Sequence, residues 1–410
     1  MAGFRDSIVE ISEAALLQNL DHFKGLIHKS SNLILVLKAN SYGAGAIPVA
    51  RLFENEERVE YYAVASIDEG IELRKAQIKK PIIILSPDAD RFKEVLSNKL
   101  QPVITSPSNL KSCIRQLGSI TNYPVHLNFD TGMHREGFLS NEINALIQLL
   151  RATNCIKIET VFSHYSGSGS AKFDAFTMEQ AEEFNTMFSE LTAHLDYQPK
   201  THLNNSGGLE RFNSDMNALH RLGIGLYGHS VEKSALHNVF AWKTKVAHIQ
   251  WVEKGESVSY NRSWIAPKRS KIATVFVGYA DGLNRRLSNG KWHLKSGNHA
   301  LPIVGDICMD LCMVDATTVE LEVGQELIIL NTAKDIENMA ETLGTISYEI
   351  QTSISSLSIQ DEPIATAPII LLAAGVVIFL GVAGEAFFKK TGIPDVAFLM
   401  ILGVIIGPVF

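Results

Sequence analysis

Between residues 33 and 228 the sequence repeats one pattern eight times: a short β-branched or apolar run, then a polar stretch with helical spacing. The runs begin near Leu33, Tyr61, Pro81, Gln101, Pro124, Lys157, Lys200 and Ala218. Alternation of this kind predicts parallel strand-helix units, and eight of them predict an α/β fold, a closed (β/α)8 barrel of the TIM type. The clearest helix is expected over 173–195, where Phe176, Phe184 and Phe188 are spaced to share one face. Working residues in such a barrel lie at the C-terminal ends of the strands, so the informative positions are the polar ones just after each run.

After His229 the helical spacing fades. Runs over 242–252, 270–280, 302–314 and 326–330, broken by Gly and Asn, predict a second, mainly β domain. The expected division is a barrel over 8–232, a β domain over 233–355, a polar linker over 356–363 and a hydrophobic helical tail over 364–410. The tail opens with 21 uncharged residues, 364–384, long enough for one transmembrane helix. It closes with 15 apolar residues, 396–410, too few for a second span.

Composition narrows the function. Lys and Arg number 37 against 44 Asp and Glu, with no long block of one sign, which argues against a nucleic-acid binder. The N-terminus carries Arg5, Asp6 and Glu10 and lacks the apolar core of a signal peptide. The four cysteines, Cys113, Cys155, Cys308 and Cys312, give no paired framework, so a reducing, cytoplasmic setting is expected. The Cys308/Cys312 spacing has no second pair to complete a zinc site, and no metal is expected.

The first run ends in Lys38, followed by Ala39-Asn40-Ser41-Tyr42-Gly43-Ala44-Gly45. A lysine leaving a buried strand end either snorkels to solvent or loses its proton by desolvation and becomes a Schiff-base nucleophile. The adjacent Tyr42 and glycines suit a phosphate-bearing cofactor. Ser206, Gly223 and Ile224 follow the seventh and eighth runs, where barrels often bind phosphate, although they also read as ordinary turns. Arg135, after the fifth run, is either a carboxylate clamp or a rim salt bridge, and His164 either a site residue or a core histidine. Tyr260 serves as a base only if a nearby cation lowers its pKa.

Together, VLKANSYGAG, FDTGMHREGF, SHY, NNSGG, RLGIGLYG, VSYN, VGYADG, PIVGDICMD and TISYEIQTSIS resemble, in order, the blocks of the alanine racemases over about residues 7–355. That family is a barrel-plus-β-domain class of pyridoxal-phosphate enzymes. The resemblance implies that Lys38 holds pyridoxal 5'-phosphate as a Schiff base and that Tyr42, Ser206, Gly223, Ile224 and Tyr348 bind its phosphate. Arg221 then faces the pyridine nitrogen with His164 in support, and an arginine there disfavours protonation of that nitrogen. Arg135 and the backbone of Met309 hold the substrate carboxylate, with Tyr279 and Asp310 also on the substrate side. Lys38 and Tyr260 are the two bases, one for each face of Cα, with Tyr260 supplied by the second subunit of a head-to-tail homodimer. The implied activity is interconversion of L- and D-alanine, supplying D-alanine for peptidoglycan.

Three positions depart from the family pattern. Asn128 stands where many members carry a carbamylated lysine, Ala44 where a histidine is usual and Glu136 where a leucine is usual. They keep open a broader racemase acting on serine or lysine. A related barrel decarboxylase is expected to carry an acid at Arg221, and a non-enzymatic cofactor carrier to be a single barrel. Residues 369–410 resemble the start of a cation/proton antiporter through FFKKTGIPD and a GxxxGP pattern, which implies either membrane contact or a gene-boundary junction. Lys389 and Lys390 favour a cytoplasmic loop, which would place the preceding domains outside and conflicts with a reducing setting.

Overall fold

The computed structural model describes residues 6–212 and 218–354. After an N-terminal strand β1 (Ile8–Ile11) come eight parallel strands. They are β2 (Asn32–Val36), β3 (Val59–Val64), β4 (Ile82–Ile84), β5 (Gln101–Ile104), β6 (Tyr123–Asn128), β7 (Ile156–Phe162), β8 (Lys200–His202) and β9 (Leu219–Leu222). Each of the eight expected runs supplies one. Their order is β8-β7-β6-β5-β4-β3-β2-β9, and the sheet closes where the Arg221 N–H donates to the Asn204 carbonyl at 3.1 Å. Strands covered by helices outside and by packed side chains inside are buried on both faces, which is why most of them read as apolar runs; β8, Lys-Thr-His with Lys200 exposed, is the exception. Serine caps start several of the helices: Ser12, Ser66 and Ser106 each accept a backbone N–H of the first turn.

The expected long helix is Asp174–Thr192, preceded by one 3-10 turn. Phe184 is buried and stacks on Phe188 at 5.8 Å. Phe176 is instead exposed, while Thr177 and Gln180 are the buried residues of the helix's first turns. The Phe176 ring covers Gly132, where an added Cβ would sit 2.9 Å from it.

The second domain is built on β10 (Phe240–Val252), a strand that changes register near Val246. Its first half pairs antiparallel with β1, so the N-terminal strand joins this sheet rather than the barrel's. Further strands are β11 (Ser257–Val258), β12 (Trp264–Ile265), β13 (Ser270–Val275), β14 (His293–Ser296), β15 (His299–Pro302), β16 (Cys312–Asp315) and β17 (Glu326–Leu330). Two expected runs are shorter than the apolar pattern. The 270–280 run leaves the sheet after Val275, and the 302–314 run divides into the end of β15, a loop and β16. The reason is a close backbone approach, since a Cβ on Gly278 would overlap the Met309 carbonyl. Helices Ala333–Leu343 and Ser347–Ser353 complete the domain, and the second packs so tightly on Gly43 that a side chain there would meet the Gln351 carbonyl.

The expected linker, transmembrane helix and second apolar run lie outside the described residues. Among the described residues no helix is long and apolar enough to cross a membrane.

Candidate active site

Lys38 follows the C-terminal end of β2, and the chain beyond it turns the wrong way. Ala39, Asn40, Ser41 and Tyr42 have φ of 52°, 51°, 58° and 55°, a single left-handed turn. Only Asn tolerates that region readily, and each other residue costs on the order of 1–2 kcal/mol there. Side-chain bonds offset the cost. Ser41 Oγ lies 2.5 Å from the Tyr227 hydroxyl, Asn40 Oδ1 accepts the Ala46 N–H at 2.8 Å and Glu69 Oε1 accepts the Ala39 N–H at 2.7 Å. The turn leaves Lys38 at the barrel mouth, with Arg135 and Arg221 acting on its amine, and brings the Tyr42 hydroxyl back against Gly223. Burial, then the charge of Arg135, lower the Lys38 pKa; Glu69 opposes them and Arg221 adds to them. The amine is thereby shifted toward the neutral, nucleophilic form.

Arg221, on β9, is buried, and its guanidinium is ringed by neutral acceptors. It donates to the carbonyls of His202 (2.8 Å), Leu203 (2.9 Å) and Ser163 (2.8 Å), and meets His202 Nδ1 at 2.5 Å and His164 Nδ1 at 3.2 Å. Burial and Arg135 pull it down to about 9, so it stays charged at neutral pH. The same surroundings, burial first and then Arg221, hold His164 and His202 well below the usual imidazole range. Both are neutral, and a neutral ring can accept from a guanidinium. The contacts continue inside the barrel from His202 to Thr160 (3.0 Å), His126 (2.7 Å) and Gln101 (2.9 Å).

Opposite lies an anion cradle. Ser206 Oγ accepts the N–H groups of Gly223 and Gly225, both at 3.1 Å, which leaves its own O–H to donate. The Ile224 N–H between them has no acceptor among the described residues, although Ile224 is buried. Gly223 has no side chain because a Cβ would sit 2.5 Å from the Tyr42 hydroxyl. The Gly223 N–H is engaged by Ser206, so its contribution here is space. Burial and Tyr348 push the Tyr42 phenol up, so it stays protonated as a donor. Tyr348 reaches the same corner from the β domain, its ring 6.1 Å from that of Tyr42. A buried amide without a partner, two protonated hydroxyls and a buried arginine fit a phosphorylated pyridine aldehyde held by Lys38.

Arg135 stands exposed at the rim and has no ion-pair or hydrogen-bond partner among the described residues. Asn128 donates to the Glu136 carbonyl at 2.8 Å, while its Oδ1 is buried without a partner. The Glu136 carboxylate takes the Ser86 hydroxyl at 2.8 Å, and Ala44 is buried.

Tyr260, Tyr279, Met309 and Asp310 gather on one edge of the β domain. Tyr279 and Ala280 donate backbone N–H groups to the Cys308 and Met309 carbonyls at 3.0 Å, and Ser259 Oγ donates to the Asp306 carbonyl at 2.7 Å. Tyr260 is 67% exposed, Met309 54% and Tyr279 44%. None of the four makes a hydrogen bond or ring contact with the residues around Lys38. One chain thus joins Lys38, Tyr42, His164, Ser206, Arg221, Gly223, Ile224 and Tyr348 at one mouth, and leaves Tyr260 and its neighbours apart.

Sequence reasoning missed His202, Tyr227 and Glu69. Only Glu69 carried a local signal, the Ser66-x-x-Glu69 capping box at the start of helix Ile67–Lys75.

Comparison with known proteins gives a consistent result. Residues 11–231 match the family model "Alanine racemase, N-terminal domain" and residues 239–360 match "Alanine racemase, C-terminal domain". The alanine racemase of Helicobacter pylori (strain HPAG1) is 33% identical over 373 residues, covering 86% of this chain and 97% of the relative. Among solved structures, alanine racemase of Clostridium difficile 630 superposes with a TM-score of 0.80 at 31% identity, covering 85% of this chain and 93% of that one. That of Bartonella henselae, described with covalently bound pyridoxal phosphate, gives a TM-score of 0.76 at 25% identity over 86% of this chain and 99% of that one.

Proposed function

The chain belongs to the alanine racemase family, whose members depend on pyridoxal phosphate, and from that premise we propose a division of labour by which its residues interconvert L- and D-alanine. The observation that carries it is the Lys38 mouth: a lysine amine lowered toward its neutral form, a buried arginine with no carboxylate partner among the described residues and an anion cradle on one barrel end. Lys38 would hold the cofactor covalently, Ser206, Tyr42, Tyr348 and the Ile224 N–H its phosphate, and Arg221 its pyridine nitrogen. When bound, pyridoxal phosphate draws electrons from the substrate Cα and makes its proton removable.

Arg221 presents only N–H donors, and the five acceptors around it fix them in place. A donor there leaves the pyridine nitrogen unprotonated, which limits competing chemistry at Cα. Neutral His164 adds no charge. Arg135, without an ion-pair or hydrogen-bond partner among the described residues, is available to clamp the substrate carboxylate bidentately.

Inversion needs a proton carrier on each face. Lys38 Nζ serves one, and the phenol of Tyr260 from a second copy of the chain serves the other. The exposure of Tyr260, Tyr279 and Met309 on one edge supports a homodimer in which that edge completes the partner's mouth. The product is D-alanine for peptidoglycan, made in the cytoplasm.

The test is D-alanine formation from L-alanine by the full chain with pyridoxal phosphate. Lys38→Ala should abolish both turnover and the absorbance of covalently held cofactor. Turnover retained in that variant would end the proposal.

A further inference from the structure

Glu69 lies outside the set of residues that would touch cofactor or substrate, yet its carboxylate makes three backbone contacts at the root of Lys38. Oε2 accepts the N–H of Ala65 (2.7 Å) and Ser66 (3.0 Å), the first residues beyond β3. Oε1 accepts the N–H of Ala39 at 2.7 Å, the first residue of the left-handed turn beyond β2. The Glu69 N–H closes the capping box onto Ser66 Oγ at 3.3 Å. A helix cap needs only the contacts on its own segment. The bond to Ala39 reaches 30 residues back and ties two neighbouring strand ends together at the strained turn.

The charged and titratable groups facing Lys38 come from four places. Arg135 extends from the loop after β6, Arg221 from β9, His164 from the end of β7 and Glu69 from helix Ile67–Lys75. Two are cations that favour the neutral amine, and Glu69 is the anion that favours the protonated one. Loss of the Glu69 charge leaves the two guanidinium groups unopposed.

We propose that Glu69 is a positioning residue for Lys38, clamping the left-handed turn through the Ala39 N–H and tying it to the end of β3. The inference rests on the reading of Lys38 as the lysine that holds the cofactor. A glutamine cannot reproduce the clamp, because whichever way its amide faces, one set of backbone N–H groups meets an N–H.

The test is the rate at which the full chain, cleared of cofactor, captures added pyridoxal phosphate, followed by absorbance across pH. Capture needs the neutral amine, so the rate rises through the Lys38 pKa to a plateau. Glu69→Gln should move the midpoint to lower pH and lower the plateau at least about threefold, a loss near RT ln 3 in the positioning of the amine. Glu69→Asp keeps the charge but sets it back by one methylene, so its midpoint should stay near wild type while its plateau falls. That variant carries the test if the glutamine does not fold. Ser66→Ala removes the cap hydroxyl without touching the clamp, and should lower stability with midpoint and plateau unchanged. A Glu69→Gln midpoint at or above wild type, or an undiminished plateau in Glu69→Asp, would overturn the proposal. Capture surviving in Lys38→Ala would instead overturn the reading of Lys38, a separate outcome.

Discussion

Ser206→Ala tests the anion cradle and its dual use of one oxygen. In the wild-type chain Ser206 Oγ accepts two buried N–H groups, from Gly223 and Gly225, each at 3.1 Å. Alanine leaves both without an acceptor, and a buried unpaired donor costs about 1–3 kcal/mol. The cofactor-free chain should therefore lose about 2–4 kcal/mol of stability, taking the lower part of each range for some relaxation. The same substitution deletes the hydroxyl proposed to donate to phosphate, a charge-assisted bond worth about 1.5–3 kcal/mol, or roughly 10- to 150-fold in the apparent Kd. Because ligand stabilisation follows RT ln(1 + [L]/Kd), the variant should also gain less stability at a fixed cofactor concentration. Urea denaturation with and without pyridoxal phosphate, beside an absorbance titration, measures both quantities. Stability within about 0.5 kcal/mol of wild type would refute the two-acceptor reasoning. An apparent Kd within twofold would refute the phosphate assignment.

Further outcomes follow from the same geometry. Arg221→Met should cost about 3–5 kcal/mol, because it strands carbonyl and imidazole acceptors at the ends of two strands; chemical denaturation reads it, and a loss below about 1 kcal/mol would contradict the network. Tyr260→Phe should cut racemisation at least about 100-fold while leaving the rate of cofactor capture unchanged, since general acid–base catalysis is worth about 10²–10⁴; equal loss of both would place Tyr260 elsewhere. His126 and His220 are held by burial at about 3 and about 4, against an ordinary value of 6.5. The unfolded chain therefore binds more protons below pH 6.5, and stability should fall as pH drops from 6.5 toward 4, by about 1.4 kcal/mol per pH unit for each histidine. His126→Gln should flatten that slope in urea titrations across pH, and an unchanged slope would contradict it.

Which parts of this were legible in the sequence depends on whether the cause was local. All eight barrel strands were, seven because burial on both faces writes itself in apolar residues and β8, Lys-Thr-His, only through its place in the repeat. Strand β1 was not, since four residues at an N-terminus become a strand only through their pairing with the start of β10. The loops after β13 and before β16 read as strand because their apolar residues pack, while a backbone approach at Gly278 takes them out of the sheet. At the site, Lys38, Ser206 and Arg221 were recognisable in their blocks. The left-handed turn beyond Lys38 was not, because the bonds that stabilise it come from Glu69 and Tyr227, and Tyr227 lies 186 residues from its partner Ser41. The acceptors that hold Arg221 are likewise spread over the ends of β7 and β8, where no short pattern records them.

The most direct test of two bases acting from opposite faces is to incubate the full chain with L-alanine and pyridoxal phosphate in heavy water and follow both enantiomers by chiral separation and NMR. The account predicts D-alanine that carries deuterium at Cα from the first turnovers, while the remaining L-alanine stays protonated at early times. Absence of D-alanine, or deuterium entering recovered L-alanine as fast as D-alanine appears, would contradict it.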